Sequence, residues 1–161
     1  MQKKPTLIKK ILVPTDGSTE ALAAADYAVE MARAFGAEVT ILHVVGVPRI
    51  PEYFLKAPES QMRQQLMEAG KAILSLTQKV FTDAGIPATT ELREGRPGDV
   101  IVLTALQGKF DLIVMGSRGL DPSQSLLLGS VSDFVARHAP CPVLIVRGAD
   151  ATRGGDAGPA T

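Results

Sequence analysis

The feature that most constrains this chain of 161 residues is an alternation of two patterns. Apolar runs of strand length, Leu7 to Pro14, Glu38 to Val45, Leu112 to Met115 and Pro140 to Arg147, are separated by stretches whose apolar residues recur at helical steps. Ala88 to Arg93 is a weaker strand, favoured by Thr89, Thr90 and Leu92. The helical patterns run from about Glu20 to Phe35 (Leu22, Ala25, Val29, Ala32), from Ser60 to Ala84 (Met62, Leu66, Ala69, Ile73, Leu76, Val80), over about 98 to 107, and after Gly129 (Val131, Phe134, Val135, His138). Five strands alternating with four helices predict an α/β fold. The near-continuous apolar character of the strands suits a parallel, doubly wound sheet with helices on both faces.

Punctuation agrees with that reading. Gly36 and Gly85 stand where helix C-caps belong, Gly108 ends the third helix, and Pro97 lies near that helix's first turn, where a missing N–H costs nothing. One domain is expected over residues 7–147, with a flexible arm at 1–6 and a disordered tail at 148–161 that is rich in glycine, alanine and polar residues. Gly46, Pro48, Pro51 and Pro58 make 46–59 an irregular loop, either a surface connection or a functional element.

Composition excludes several partners. With 17 basic and 17 acidic residues the formal net charge is zero, so no global field recruits nucleic acid or a membrane surface. No apolar run approaches a membrane span, and the run behind the lysines at 3, 4, 9 and 10 is too short for a signal peptide. The lone cysteine, Cys141, reads as an inert buried thiol in a reducing compartment, and the expected location is cytoplasmic.

The chemistry concentrates between Leu112 and His138. A strand stops at Gly116, a loop passes Ser117, Arg118 and Gly119, and Gly129-Ser130 opens a helix. Strand, glycine loop and helix start together suit an anion, because the first helical turn offers unpaired N–H groups and the glycines let a phosphate approach the backbone. The same residues also have structural readings: Gly116 ends a strand, Gly119 permits a turn, and Ser130 with Asp133 three residues on is a capping box. A cap does not remove the outward N–H groups.

The spacing Gly116-x-x-Gly119-x9-Gly129-Ser130 resembles the ATP-binding signature of the universal stress protein family. Ile11-Leu12-Val13-Pro14-Thr15-Asp16-Gly17-Ser18 looks like that family's opening strand, and Pro140-Cys141-Pro142-Val143-Leu144-Ile145-Val146 resembles its last. The resemblance covers roughly residues 8 to 147. It implies the strand order 3-2-1-4-5, ligand at the strand 1/strand 4 switch point, and a homodimer joined through Val143 to Val146. It also implies that Pro14, Thr15, Asp16, Val44 and Met115 border adenine and ribose, while Gly116, Gly119, Gly129, Ser130, Val131 and Ser132 line the phosphates. Asp16 suits a ribose hydroxyl or a backbone cap, and Arg118 either pairs with a phosphate or is simply solvated. Mg²⁺ is expected to arrive with the nucleotide, held mostly by phosphates and water.

Competing motifs are missing. There is no GxxxxGK[ST], only Gly17 follows strand 1 where a dinucleotide fingerprint needs three glycines, and no acidic cluster or lysine after strand 5 supports a phospho-receiver. His43 sits inside an apolar strand and reads as a hydrogen-bonded core residue, His138 as a cation at a helix C-terminus. No HxxxH, CxxC or carboxylate pair suggests catalysis or a built metal site. The leading expectation is an ATP-binding stress-response module. The alternatives are a slow ATP hydrolase or nucleotidyl-transfer enzyme in the same crevice, and a structural dimer that binds no nucleotide.

Overall fold

Strands that are apolar on both sides are stable only between two helical layers, and the chain builds that arrangement. A computed structural model describes residues 7–46, 59–118 and 128–148. The element order is β1 (Lys10–Pro14), α1 (Thr19–Phe35), β2 (Glu38–Val45), α2 (Glu59–Asp83), β3 (Ala88–Glu94), α3 (Pro97–Gln107), β4 (Leu112–Gly116), α4 (Ser130–His138) and β5 (Val143–Val146). The sheet is five-stranded in the order β3-β2-β1-β4-β5, and every pairing is parallel. The expected order 3-2-1-4-5 is therefore observed. The predicted arm at 1–6, most of the 46–59 loop and the tail beyond Gly148 lie outside the described residues.

Registers Ile11↔Val39, Ile11↔Leu112 and Ile113↔Val143 align the pleats of the sheet. Alternation then sends Ile11, Val13, Ile41 and Val114 toward α1 and α2, and Leu12, Leu42, Ile113 and Met115 toward α3 and α4. The chain winds outward from β1 to β3 and returns on the far side of β1 to form β4. This reversal separates the loops after β1 and β4 and opens a crevice at their carboxyl ends.

Local signals explain most boundaries. Ser18 caps α1 by accepting from the Ala21 N–H at 3.1 Å, and Gly36 ends it in the left-handed conformation with φ 64°. Pro97 occupies the first turn of α3. Two strands are shorter than their apolar runs. β1 starts only at Lys10, with Leu7 87% exposed, and β5 starts only at Val143.

The inward face of α2 differs from the predicted stripe. Leu76 is 49% exposed and Ala69 is also exposed, whereas Gly70, Leu74, Thr77 and Phe81 are buried. The true stripe has the same helical spacing but contains a glycine and a threonine, which an apolar count passes over. Gly70 stands where a Cβ would come within 2.7 Å of Leu92 and 2.9 Å of His43. Thr77 is fully buried because its hydroxyl is satisfied: it donates to Ile73 O at 3.0 Å and lies 2.8 Å from the Thr15 hydroxyl. No helix among the described residues is long and apolar enough to cross a membrane.

Candidate functional site

The crevice is a cavity of about 340 Å³ beside the carboxyl ends of β1, β2 and β4 and the first turn of α4, within the usual range of small-molecule pockets. Pro14, Thr15, Asp16, Val44, Met115, Gly116, Gly129, Ser130, Val131 and Ser132 all line it. Of the residues expected there, only Gly119 is not placed, because it lies outside the described residues.

On one wall, β1 and β2 present apolar surface with polar groups already engaged. The Thr15 N–H donates to Leu42 O at 2.9 Å, and its carbonyl lies 2.7 Å from His43 Nδ1. A carbonyl only accepts, so Nδ1 carries the proton; His43 is hydrogen-bonded as the sequence suggested, but it is half-buried and lines the cavity rather than sitting in the core. The Thr15 hydroxyl accepts from the Gly17 N–H at 3.2 Å and meets Thr77. Since Thr77 gives its proton to Ile73, Thr15 donates to Thr77, and the chain of hydroxyls has a fixed direction. Asp16 Oδ1 accepts from the Ser18 N–H at 2.9 Å, an Asx turn that opens α1. The cap reading of Asp16 is observed: one oxygen shapes the turn, and the residue also lines the cavity.

The opposite wall is the start of α4. Ser130 is exposed and is the first helical residue. The N-cap is Gly129, in extended conformation, and no side-chain hydrogen bond among the described residues caps the helix. The predicted Ser130–Asp133 capping box therefore does not form: Gly129 takes the N-cap position, and the Asp133 N–H donates to the Gly129 backbone carbonyl at 2.9 Å. Buried Ser132 instead ties the helix to the β4 loop, with its hydroxyl 2.6 Å from Ser117 O and 3.1 Å from Gly129 O. Asp133 contributes acidic charge to the first turn, and Arg137 and His138 supply basic charge to the last.

Gly116 has a packing reason beyond ending β4. A Cβ there would stand 3.0 Å from the backbone of Glu20, so only glycine lets α1 approach the strand end this closely. Arg118 is neither free nor simply solvated: its guanidinium pairs with Glu20 at 3.2 Å. Glu20 itself was not singled out in the sequence, where it reads as one more first-turn acid. Ala21, Leu42, His43, Pro97, Ile101 and Leu128 also line the cavity without having been expected. Leu42 was signalled by sharing a strand face with Val44, and Pro97 by opening a helix at the same rim of the sheet.

Cys141 is half-buried rather than fully enclosed. Burial first, and the Asp111 charge second, push its thiol above the ordinary value. That favours the unreactive protonated form.

A parallel sheet in this order, with a glycine-bordered helix start at the switch point, defines a doubly wound α/β protein with a ligand-type crevice between β1 and β4. Sequence comparison narrows the class. Residues 7–147 match the model of the universal stress protein family, and the chain belongs to that family. Universal stress protein MJ0531 of Methanocaldococcus jannaschii is 39% identical over 141 residues, covering 88% of this chain and 83% of that relative. The solved structure of protein MJ0577, which served to assign its biochemical function, superposes with a TM-score of 0.76 at 30% identity, covering 88% of this chain and 96% of that one. A universal stress protein in complex with cAMP gives 0.68 at 31% identity, covering 88% and 98%. An Arabidopsis thaliana family protein with AMP bound gives 0.64 at 26%, covering 89% and 95%.

Proposed function

We propose that this chain is a regulatory, ATP-binding member of its family, acting in the cytoplasm, whose nucleotide lies in the β1/β4 crevice. One observation carries the reading: a single cavity joins the apolar ends of β1, β2 and β4 to a helix N-terminus that no described side chain caps. Apolar surface suits a base, and unpaired N–H groups with the positive end of a helix dipole suit phosphates. Relatives that hold cAMP and AMP support the ligand class.

Pro14, Thr15, Asp16, Val44 and Met115 would border adenine and ribose, with the remaining Asp16 acceptor capacity directed to a hydroxyl. Gly116, Gly119, Gly129, Ser130, Val131 and Ser132 would line the phosphates. Mg²⁺ would come with the nucleotide, because Asp16 is the one carboxylate among the described residues that lines the cavity and is partly engaged by Ser18. Among the described residues His43 lines the cavity with its Nδ1 held by the Thr15 carbonyl, and no second group there orients it as a base for water, so turnover should fall well below the roughly 1–1000 per second of ordinary enzymes. A second copy of the chain is proposed to cover β5, an apolar edge bonded within the described sheet only to β4.

Calorimetry with ATP, AMP, cAMP and NAD, with and without Mg²⁺, tests the assignment. Magnesium-dependent preference for ATP supports it, and no ATP binding, or equal affinity for all four, sinks it. Phosphate release at an ordinary enzymatic rate, abolished by a crevice substitution, would make the protein an ATP hydrolase instead.

A further inference from the structure

Glu20 is the one ionisable side chain among the described residues that is buried, at 8% exposure, and the nucleotide contacts proposed above do not use it. Its Oε2 accepts from the Ser117 hydroxyl at 2.9 Å and from the Arg118 N–H at 2.6 Å, and its Oε1 accepts from the Arg118 guanidinium at 3.2 Å. These bonds connect the first turn of α1 to residues 97 and 98 positions further along the chain. Gly116 and Gly148 leave the space: a Cβ at Gly116 would stand 3.0 Å from Glu20, and one at Gly148 would stand 2.8 Å from its Cγ.

The corner that Glu20 holds is the one from which α4 hangs. The Ser117 carbonyl accepts from the Gly129 N–H and from the Ser132 hydroxyl, both at 2.6 Å, and the Ser117 N–H donates to Val146 O at 2.9 Å. A buried carboxylate is a costly way to pack a helix on a strand, since an apolar side chain of similar volume fills such a space without desolvating a charge. What the carboxylate adds is direction, because each oxygen accepts only from donors placed along its lone pairs. Its charge also balances Arg118, a residue that lines the cavity and whose guanidinium is already paired.

We propose that Glu20 is a positioning residue for phosphate recognition: by fixing Ser117 and Arg118 it sets where the start of α4, which no described side chain caps, faces the crevice, without itself touching the ligand. This rests on the nucleotide reading above. It requires selectivity between ligands that carry phosphates and ligands that do not.

The test compares the full-length parent with Glu20→Ala, Glu20→Gln and Ser117→Ala. Gln keeps an oxygen that accepts from Ser117 and Arg118, whereas Ala removes every bond. Glu20→Ala should weaken ATP binding about tenfold or more, the scale of one lost bond to a charged group, while adenosine affinity stays within about twofold. Glu20→Gln should recover most of the loss, and Ser117→Ala, which removes a single bond to the carboxylate, should fall between. Parallel loss of ATP and adenosine, no loss of either, or a Gln variant as weak as Ala overturns the proposal. Hydrogen exchange on the ligand-free protein reads the tether independently: the Arg118 and Gly129 amides should exchange about tenfold faster in Glu20→Ala, or in Ser117→Ala if the former does not fold, while β1 stays protected. Unchanged exchange at both amides overturns the tether even if ATP binds, and a parent that fails to bind ATP removes the nucleotide reading while exchange still decides the tether.

Discussion

The two walls of the crevice are built on opposite plans. On the β1/β2 wall nearly every polar group has an internal partner: Thr15 bonds through its N–H, its carbonyl and its hydroxyl, and Asp16 closes its own turn. On the α4 wall the cap residue is a glycine with no side chain to offer, and Ser130 stands exposed at the first helical position. The first wall is finished by the protein itself, whereas among the described residues no side chain caps the first-turn donors of the second. Leaving N–H groups unsatisfied costs stability that folding need not spend. The contrast therefore separates framework from recognition, and substitutions on the two walls should fail in different ways.

The largest effect is expected at Gly129. Gly129→Val puts a branched side chain at the helix start and should weaken ATP binding about a hundredfold, roughly 2.7 kcal/mol. Its melting temperature should move much less than that of a substitution in the core. A variant that melts lower yet binds ATP as the parent does would make this step a helix start only.

Thr77→Val should do the reverse. It preserves shape but takes the acceptor from the Thr15 hydroxyl in a buried setting, so denaturant unfolding should show a loss of about 1–3 kcal/mol. ATP titration should change by less than about threefold, which is under 0.7 kcal/mol. A large affinity loss at unchanged stability would erase the distinction between the walls.

Ser130→Ala sharpens it further. Because Ser130 is not the cap, its removal should leave stability within about 0.5 kcal/mol, as for ordinary surface positions. If its hydroxyl serves a phosphate, paired melts and titrations will show ATP affinity falling about tenfold, near 1.4 kcal/mol. A stability loss near 1 kcal/mol, typical of a lost cap, would restore Ser130 as the cap.

The smallest effect lies away from both walls. The Cys141 thiol is raised in the folded state, so the folded protein holds its proton to higher pH than the unfolded chain does. Its contribution is full below the unfolded thiol value and fades as pH rises through the folded one. Denaturant melts in that alkaline range should decline slightly less steeply for Cys141→Ser than for the parent.

Most of the fold was legible because its signals are local. Apolar runs of strand length, the Ser18 cap, Gly36 and Pro97 each act within a few residues, and they placed every element to within a few positions. The candidate site was legible through its glycines, since backbone that must approach another group excludes a Cβ wherever the partner comes from. The inward stripe of α2 was not legible. Gly70 and Thr77 are buried by virtue of what stands opposite them, Leu92 and His43 in one case and Thr15 in the other.

Glu20 shows the limit most clearly. Its sequence neighbourhood marks it only as a first-turn acid, favourable near a helix N-terminus. The sheet order brings it to Ser117 and Arg118, and there a charge otherwise destined for solvent becomes a buried acceptor. The sequence by itself determined the elements, their parallel arrangement and the glycine-bordered helix start, because propensity, capping and apolar period are properties of short stretches. Only the tertiary structure decided which α2 face is inside, that Gly129 rather than Ser130 caps α4, and that Arg118 is paired. Each of these depends on partners far along the chain, and no local pattern records the desolvation and hydrogen bonding that distant partners impose.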